Sequence, residues 1–378
     1  MKNMSRGKDC RLAIFLPSLR GGGAERVMMN LANGFTGKGL SVDLVLVKAE
    51  GAYLKGVPDN VRVVDLDAGR VARSLPALVR YLRSERPGAL LSAMNHANII
   101  ALWARSLAGT PTQVTISEHN NLSASMRNVP SRRARFMPWL MRCFYPLADS
   151  IVAVSKGVAD DLASAIHMPR ERITVIYNPV VTPELLQMAR EPLDHPWFRP
   201  GEPPVILGAG RLTRQKDFSM LIRSFALVRK ERPARLLILG EGGERRELEE
   251  LAGTLGIAGD IDMPGFVDNP YKYMAGAALF ALSSKWEGLS TVVIEAMACG
   301  TPVVSTDCPS GPREILMDGQ YGSLVPVGNV EYFTRAVLKA LEHPFKPSFA
   351  WLDRFCPEYV MQKYLEVLGV RQQDEDRS

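Results

Sequence analysis

The chain has 378 residues, 46% of them hydrophobic, and 46 Lys and Arg against 40 Asp and Glu give a net charge of +6. That is enough apolar material for two ordinary cores, and the small positive excess hints at an anionic partner without naming one. Five scattered cysteines (Cys10, Cys143, Cys299, Cys308, Cys356) with no C-x-x-C pair argue against a disulfide framework or zinc site; with no signal-peptide pattern and no run near ~18 apolar residues, a cytoplasmic setting is expected.

In chain order, Leu12 to Leu16 reads as a first strand, running into Arg20-Gly21-Gly22-Gly23-Ala24-Glu25-Arg26 and an amphipathic helix. A Gly-rich turn feeding a helix start lets backbone approach an anion, so Gly22 and Gly23 are candidate binding residues. The spacing is not G-x-G-x-x-G, and the dinucleotide fingerprint fails. Further strands lie at Val42 to Val47, Val61 to Leu66 and Ala89 to Ala93, with helices at Leu75 to Glu85 and Ala97 to Leu107. The strand Gln113 to Ser117 ends in Glu118-His119-Asn120-Asn121, at the carboxyl end where open α/β sheets bind ligands.

From His119 to Ala148 there is no acidic residue, while Arg127, Arg132, Arg133, Arg135 and Arg142 interleave with Phe136, Trp139, Phe144 and Tyr145. Basic and aromatic residues at helical spacing suit a segment lying on anionic lipid, with Arg127, Arg132, Arg133, Arg135 and Trp139 facing the membrane. A solvated basic face over a core helix is the alternative, and no nucleic-acid module accompanies the pattern. Pro138 and Pro146 are expected to break it into short pieces. Strand Ser150 to Val154, helix Lys156 to Ile166 and strand Ile173 to Ile176 close a first domain over 1–180, and the Pro-rich stretch 181–204 reads as a linker.

A second domain over 205–356 restarts the pattern. Strand Val205 to Leu207 leads through Gly208-Ala209-Gly210-Arg211-Leu212-Thr213-Arg214-Gln215-Lys216-Asp217 to a helix, Phe218 to Lys230. A forked guanidinium and a flexible ammonium, Arg211 and Lys216, are a sensible pair for two phosphates. Gly240-Glu241-Gly242-Gly243 after the next strand would leave room for a base or sugar. Pro264-Gly265-Phe266-Val267 forms a short strand and loop. Then come a buried strand, Ala278 to Leu282, a loop through Glu287, Gly288 and Leu289, Ser290 as N-cap, and a helix from Thr291 to Cys299 stopped by Gly300. The free N–H groups of Ser290, Thr291 and Val292 would face an anion between the carboxylates of Glu287 and Glu295. A phosphate flanked by hydroxyls at both ends, as in a nucleoside diphosphate sugar, fits that arrangement. Val330 to Leu341 and Pro357 to Leu368 are the last helices.

Glu287 through Glu295, EGLSTVVIE, resembles the E-x7-E signature of retaining glycosyltransferases of the family 4, or group 1, type. GRLTRQKDF resembles that family's diphosphate loop, and GGAER its first loop, beside the donor phosphates and the acceptor. The resemblance spans nearly the whole chain, strongest from Gly208 to Glu314. It implies a GT-B fold, two doubly wound Rossmann-like domains facing across a cleft, with the C-terminal helix 357–370 returning to the first domain. It implies that Glu287 approaches the donor sugar, Glu295 holds the ribose, backbone near Phe266 and Val267 reads the base, and His119 contacts the sugar. The catalytic set is then His119, Glu287, Arg211 and Lys216, with fixed positive charge in place of a metal and no cofactor beyond the nucleotide sugar itself. The expected reaction is retaining transfer from a UDP-sugar to a glycan or lipid-linked acceptor, in cell-surface polysaccharide or glycolipid synthesis at the inner membrane's cytoplasmic face. Two alternatives stay open, a nucleotide-sugar epimerase of the same fold and a non-catalytic sugar-nucleotide-binding scaffold.

Overall fold

A computed structural model describes residues 11–128, 132–344 and 349–370. The chain folds into two compact units, one from Met1–Pro179 with Pro357–Ser378 and one from Val180–Cys356.

Unit 1 is built on β1 (Arg11–Leu16), β2 (Ser41–Leu46), β3 (Val61–Asp65), β4 (Ala89–Ala93), β5 (Gln113–Glu118), β6 (Ser150–Ala153) and β7 (Ile173–Val175). They pair in the order β3-β2-β1-β4-β5-β6-β7, and every pairing is parallel. Strands covered on both faces read as unbroken apolar runs, and Leu12 through Leu16 are all buried for that reason. The direction of strand order reverses between β1 and β4, which puts the loops leaving those strands at a switch point. Helices Gly23–Gly37, Leu75–Glu85, Asn95–Ala108 and Lys156–Ile166 carry the crossovers. The C-terminal helix Pro357–Val367 buries Val360, Met361, Tyr364 and Leu365 in the same cluster as Leu12, Ile14, Leu31 and Phe35. Gly34 is the notch that admits it: a Cβ there would lie 1.9 Å from the Met361 sulfur.

The basic and aromatic stretch departs from expectation. Helix Arg132–Phe144 runs straight through Pro138, and only at Tyr145–Leu147 does a 3-10 turn replace it. A proline removes one helical hydrogen bond. Here tertiary packing outweighs that loss, because Met141 is fully buried and Phe144 meets Trp103 edge-on at 5.1 Å.

Unit 2 repeats the plan with β8 (Val205–Ala209), β9 (Arg235–Leu239), β10 (Ile261–Gly265), β11 (Leu279–Leu282), β12 (Val303–Thr306) and β13 (Ser323–Val325), all parallel, ordered β10-β9-β8-β11-β12-β13. The switch point falls between β8 and β11. Its core joins Leu221, Phe225, Leu236, Ile238 and Phe333. The stretch 181–204 is not a free linker but part of this unit. Its helix Pro183–Met188 and the residues after that helix are pinned by two side chains. Asn269 Nδ2 donates to Met188 O and Glu191 Oε2, each at 2.8 Å, and His195 Nε2 lies 3.2 Å from Asp262 Oδ2. β10 begins at Ile261, earlier than the Pro264 start read from sequence, because parallel pairing to β9 starts at Leu236.

Candidate functional site

The loops leaving β8 and β11 meet at the switch point of unit 2. Lys216 Nζ lies 2.7 Å from Glu287 Oε1, and the two side chains are 15% and 8% exposed. Ser284 Oγ, fully buried at the end of β11, donates to the same oxygen at 2.6 Å. Oε2 of Glu287 accepts no hydrogen bond among the described residues, so half of the carboxylate remains for a ligand. The loop backbones are knitted to hold this pair. Ser283 Oγ donates to Lys216 O at 2.7 Å, Gln215 Nε2 to Trp286 O at 2.9 Å, Lys285 N to Gln215 O at 2.8 Å, and Thr306 Oγ1 to Ser284 O at 2.6 Å. A buried ion pair is costly to desolvate and costlier to break, so the arrangement is over-determined by its hydrogen bonds. Arg211, on the same loop, is exposed, and its guanidinium has no partner among the described residues.

The helix start beside Glu287 is left electrically open. Ser290 occupies the N-cap position of helix Thr291–Ala298, but at φ 26° and ψ 65° its side chain caps nothing. Its hydroxyl is buried without a partner among the described residues, and the first turn has no acidic residue. Val293 N donates back to Ser290 O at 3.0 Å, and the N–H groups of Thr291 and Val292 remain for the helix dipole to present to an anion. Gly311 closes this side at φ 87°, and a Cβ there would stand 3.3 Å from Leu289 Cα and Ser290 N. Glu295 is buried one turn along. Burial first, then the Glu287 charge, pushes the nearby Cys308 thiol up to about 12, which keeps it protonated and inert.

One expected feature turns out differently. Gly240 and Gly242 after β9 face a neighbouring loop rather than open space, whereas a Cβ on Gly243 would meet nothing within 4 Å. A Cβ on Gly240 would sit 2.1 Å from Gly210 O and one on Gly242 2.2 Å from Leu212 O, so both are small to let the Arg211 loop pass. Phe266 is 75% exposed after Gly265, and Val267 is half-buried, so Phe266 presents its ring to solvent at the end of β10.

In unit 1 the turn after β1 has already been filled from within. Glu25 Oε2 accepts from Gly21 N at 2.7 Å and Gly22 N at 2.8 Å, a carboxylate folded back onto its own helix start. The Gly22 amide offered to an outside anion is therefore satisfied; Gly23 is the first residue of the helix. At the end of β5, His119 is buried with Nε2 3.1 Å from Ser117 Oγ, and burial holds its imidazole down at about 4, hence neutral. Behind it Glu118 accepts from Asn98 Nδ2 at 2.9 Å and from the Tyr145 hydroxyl. Burial raises Glu118 to about 7 against these two bonds.

Trp139 and Phe136 are 61% and 67% exposed on helix Arg132–Phe144. The side chains of Arg127, Arg132, Arg133 and Arg135 lie outside the described residues. Among the described residues no helix is long and apolar enough to cross a membrane.

Sequence reading missed Ser284, Thr306, Ser117 and Glu25 as parts of these sites. Only Glu25 carried a recognisable local signal, a Glu at the third helical position after a turn; Ser284 and Ser117 bond residues three and two positions away with no motif to mark them, and Thr306 acts across strands.

Residues 21–183 match the family described as Glycosyltransferase Family 4, and residues 190–350 that described as Glycosyl transferases group 1. The chain is 32% identical to N-acetylgalactosamine-N,N'-diacetylbacillosaminyl-diphospho-undecaprenol 4-alpha-N-acetylgalactosaminyltransferase of Campylobacter jejuni, over 88% of this chain and 90% of that one. It is 29% identical to the lipopolysaccharide core biosynthesis glycosyltransferase LpsE of Rhizobium meliloti, over 92% and 96%. The solved structure of Anabaena HepE in complex with UDP-glucose superposes with a TM-score of 0.77 at 20% identity, over 96% of this chain and all of that one, a likeness of fold.

Proposed function

The chain is a glycosyltransferase of the family 4, group 1 type with the two-domain Rossmann-like GT-B fold, and on that footing we propose that it moves a sugar from a UDP-sugar to a lipid-linked acceptor with retention of configuration. One observation carries the reading: in unit 2 the Lys216–Glu287 pair stands beside an uncapped helix start with an orphaned serine hydroxyl. That is a place for a diphosphate next to a carboxylate that can accept from sugar hydroxyls. Arg211, Lys216 and the N–H groups from Ser290 to Val292 take the two phosphates, with Gly288 and Leu289 shaping the approach. Glu295 takes the ribose, and backbone near Phe266 and Val267 takes the base.

In the proposed step the bond from the anomeric carbon to the leaving phosphate oxygen breaks. The acceptor oxygen bonds to that carbon on the same face, and the acceptor's proton passes to the departing phosphate. Charge grows on the diphosphate, so Arg211, Lys216 and the helix start supply most of the rate by standing ready where it grows. Glu287 orients the sugar as its ring gains positive charge, and His119 keeps the sugar contact that the family resemblance implies. Fixed cations do the work a divalent ion would, so EDTA should not affect turnover.

The acceptor class comes from the relatives. The Campylobacter enzyme is named for a diphospho-undecaprenol substrate and the Rhizobium one for lipopolysaccharide core synthesis. A polyprenyl-diphosphate-linked sugar or glycolipid in surface polysaccharide synthesis is the matching proposal, with the Arg132–Phe144 helix resting on an anionic, cytoplasmic membrane face. Incubating the purified chain with radiolabelled UDP-sugars, with and without membrane lipid extract, tests this. Label should enter the lipid phase only with extract. Conversion of the donor alone would favour an epimerase, and binding without either would leave a scaffold. Replacing Arg132, Arg133 and Arg135 together by Ser should release the protein from anionic vesicles, each Arg being worth about 1 kcal/mol near the surface. Activity on a water-soluble acceptor should survive.

A further inference from the structure

Three side chains of unit 1 stand in line behind the ligand-facing end of β5. His119 Nε2 lies 3.1 Å from Ser117 Oγ, and Ser117 Oγ lies 3.4 Å from the hydroxyl of Tyr364, which arrives on the C-terminal helix. Ser117 and Tyr364 are wholly buried and His119 nearly so, so each proton in the line must find an acceptor within it. Nδ1 of His119 has no partner among the described residues.

Counting protons gives the line a direction. Burial pushes the Tyr364 phenol up to about 12, so it keeps its proton, and Ser117 Oγ is its one acceptor among the described residues. A serine hydroxyl has a single proton. With one lone pair taken by Tyr364, that proton goes to His119 Nε2, which must then be the bare, accepting nitrogen. Burial keeps His119 neutral, so its own proton sits on Nδ1. The reverse order would send Nε2–H to Ser117 and Ser117 to Tyr364, leaving the phenol proton unmated, and a Ser117 that accepted from both neighbours would leave its own proton unmated; in a dry interior both are the costly arrangements.

We propose that Tyr364 and Ser117 are positioning residues that fix His119 in its Nδ1–H tautomer, so that the ring meets its ligand as a neutral hydrogen-bond donor to a sugar oxygen. The chain's last helix then does more than bury apolar surface, since it sets which nitrogen of a site residue faces outward. The contact with the transferred sugar rests on the function proposed above; the tautomer does not.

The test is a long-range proton–nitrogen spectrum of the full chain labelled with 15N-histidine at neutral pH. There are five histidines, and His119→Gln identifies the signal. The wild type should show a protonated-type Nδ1 and a bare-type Nε2 at His119. Tyr364→Phe removes the proton that directs the line, and the second tautomer should grow in. Ser117→Ala should shift it further. Donor kcat/KM should fall about 3- to 10-fold in Tyr364→Phe, with UDP affinity unchanged. An Nε2–H signal in the wild type would overturn the proposal, as would a tautomer indifferent to Tyr364→Phe; neither depends on Ser117→Ala folding. A tautomer that shifts in Tyr364→Phe while kcat/KM does not would overturn the ligand contact alone, separating that failure from the tautomer.

Discussion

The turn after β1 and the turns after β8 and β11 all lie at the switch points of their sheets, yet they treat charge in opposite senses. In unit 1 a helix start is neutralised by its own Glu25, clamped on Gly21 and Gly22. In unit 2 the helix start at Ser290 has no acidic residue in its first turn and a hydroxyl with no partner among the described residues. Its carboxylate, Glu287, is turned instead onto Lys216. Topology gives both units a crevice at the switch point. What the side chains do with the amide dipoles decides which crevice is left open to an anion.

Lys216→Ala puts the heaviest strain on this contrast. It removes a phosphate contact and strands Glu287 as a buried, unpaired charge, so donor kcat/KM should drop by about 2–4 kcal/mol and the melting temperature should fall as well. Arg211→Ala, at an exposed position, should slow turnover without lowering the melting temperature. Unchanged kinetics in both variants would remove the donor site from unit 2.

The next effect belongs to unit 1 and is read as stability against pH. Glu118 is raised from 4.5 to about 7, so between those values the unfolded chain has lost a proton that the fold keeps, and stability falls as pH rises. His119 is lowered from 6.5 to about 4, so between those values the unfolded chain holds a proton that the fold rejects, and stability rises with pH. The two slopes oppose over the shared window. Relative to wild type, Glu118→Gln should uncover a rise of about 3 kcal/mol from pH 4 to 6.5, and His119→Gln a fall of similar size, in denaturant titrations. Parallel profiles for all three proteins would contradict this pairing.

Within unit 2, Glu287→Gln should lower kcat by about 2 kcal/mol in barrier, since in the proposed reaction the sugar set beside it gains charge only in the transition state. Glu295→Gln should instead raise the donor KM by about 1 kcal/mol, because a ribose contact is equal in ground and transition states. Identical kinetic profiles would erase the division of roles.

The smallest effect probes the filled turn. Glu25→Gln should cost roughly 0.5–1 kcal/mol of stability from a weakened cap and leave donor KM unchanged. A tighter donor KM in this variant would mean that the Gly22 and Gly23 amides do receive the diphosphate once Glu25 ceases to compete.

Much of this architecture is written locally. Apolar runs between turn residues marked the strands, Gly300 marked the end of the helix after Ser290, and the spacing of Glu287 and Glu295 marked the loop and helix between β11 and β12. Each is a matter of neighbours in sequence, where propensity and periodicity act. Other features have no local cause. Pro138 reads as a breaker, yet the helix persists because Met141 and Phe144, in the turns that follow it, are packed against the fold. Gly240 and Gly242 read as room for a ligand, yet the Arg211 loop takes that room. Lys216 and Glu287, 71 residues apart, could each be picked out by type and position, but their pairing exists only because β8 and β11 are neighbours in the sheet. The elements and the residue types at their ends were legible from the chain alone. Which amides stay free, which carboxylate is spoken for and which proton sits on which nitrogen are matters of folding, because they depend on who stands within 3 Å across strands.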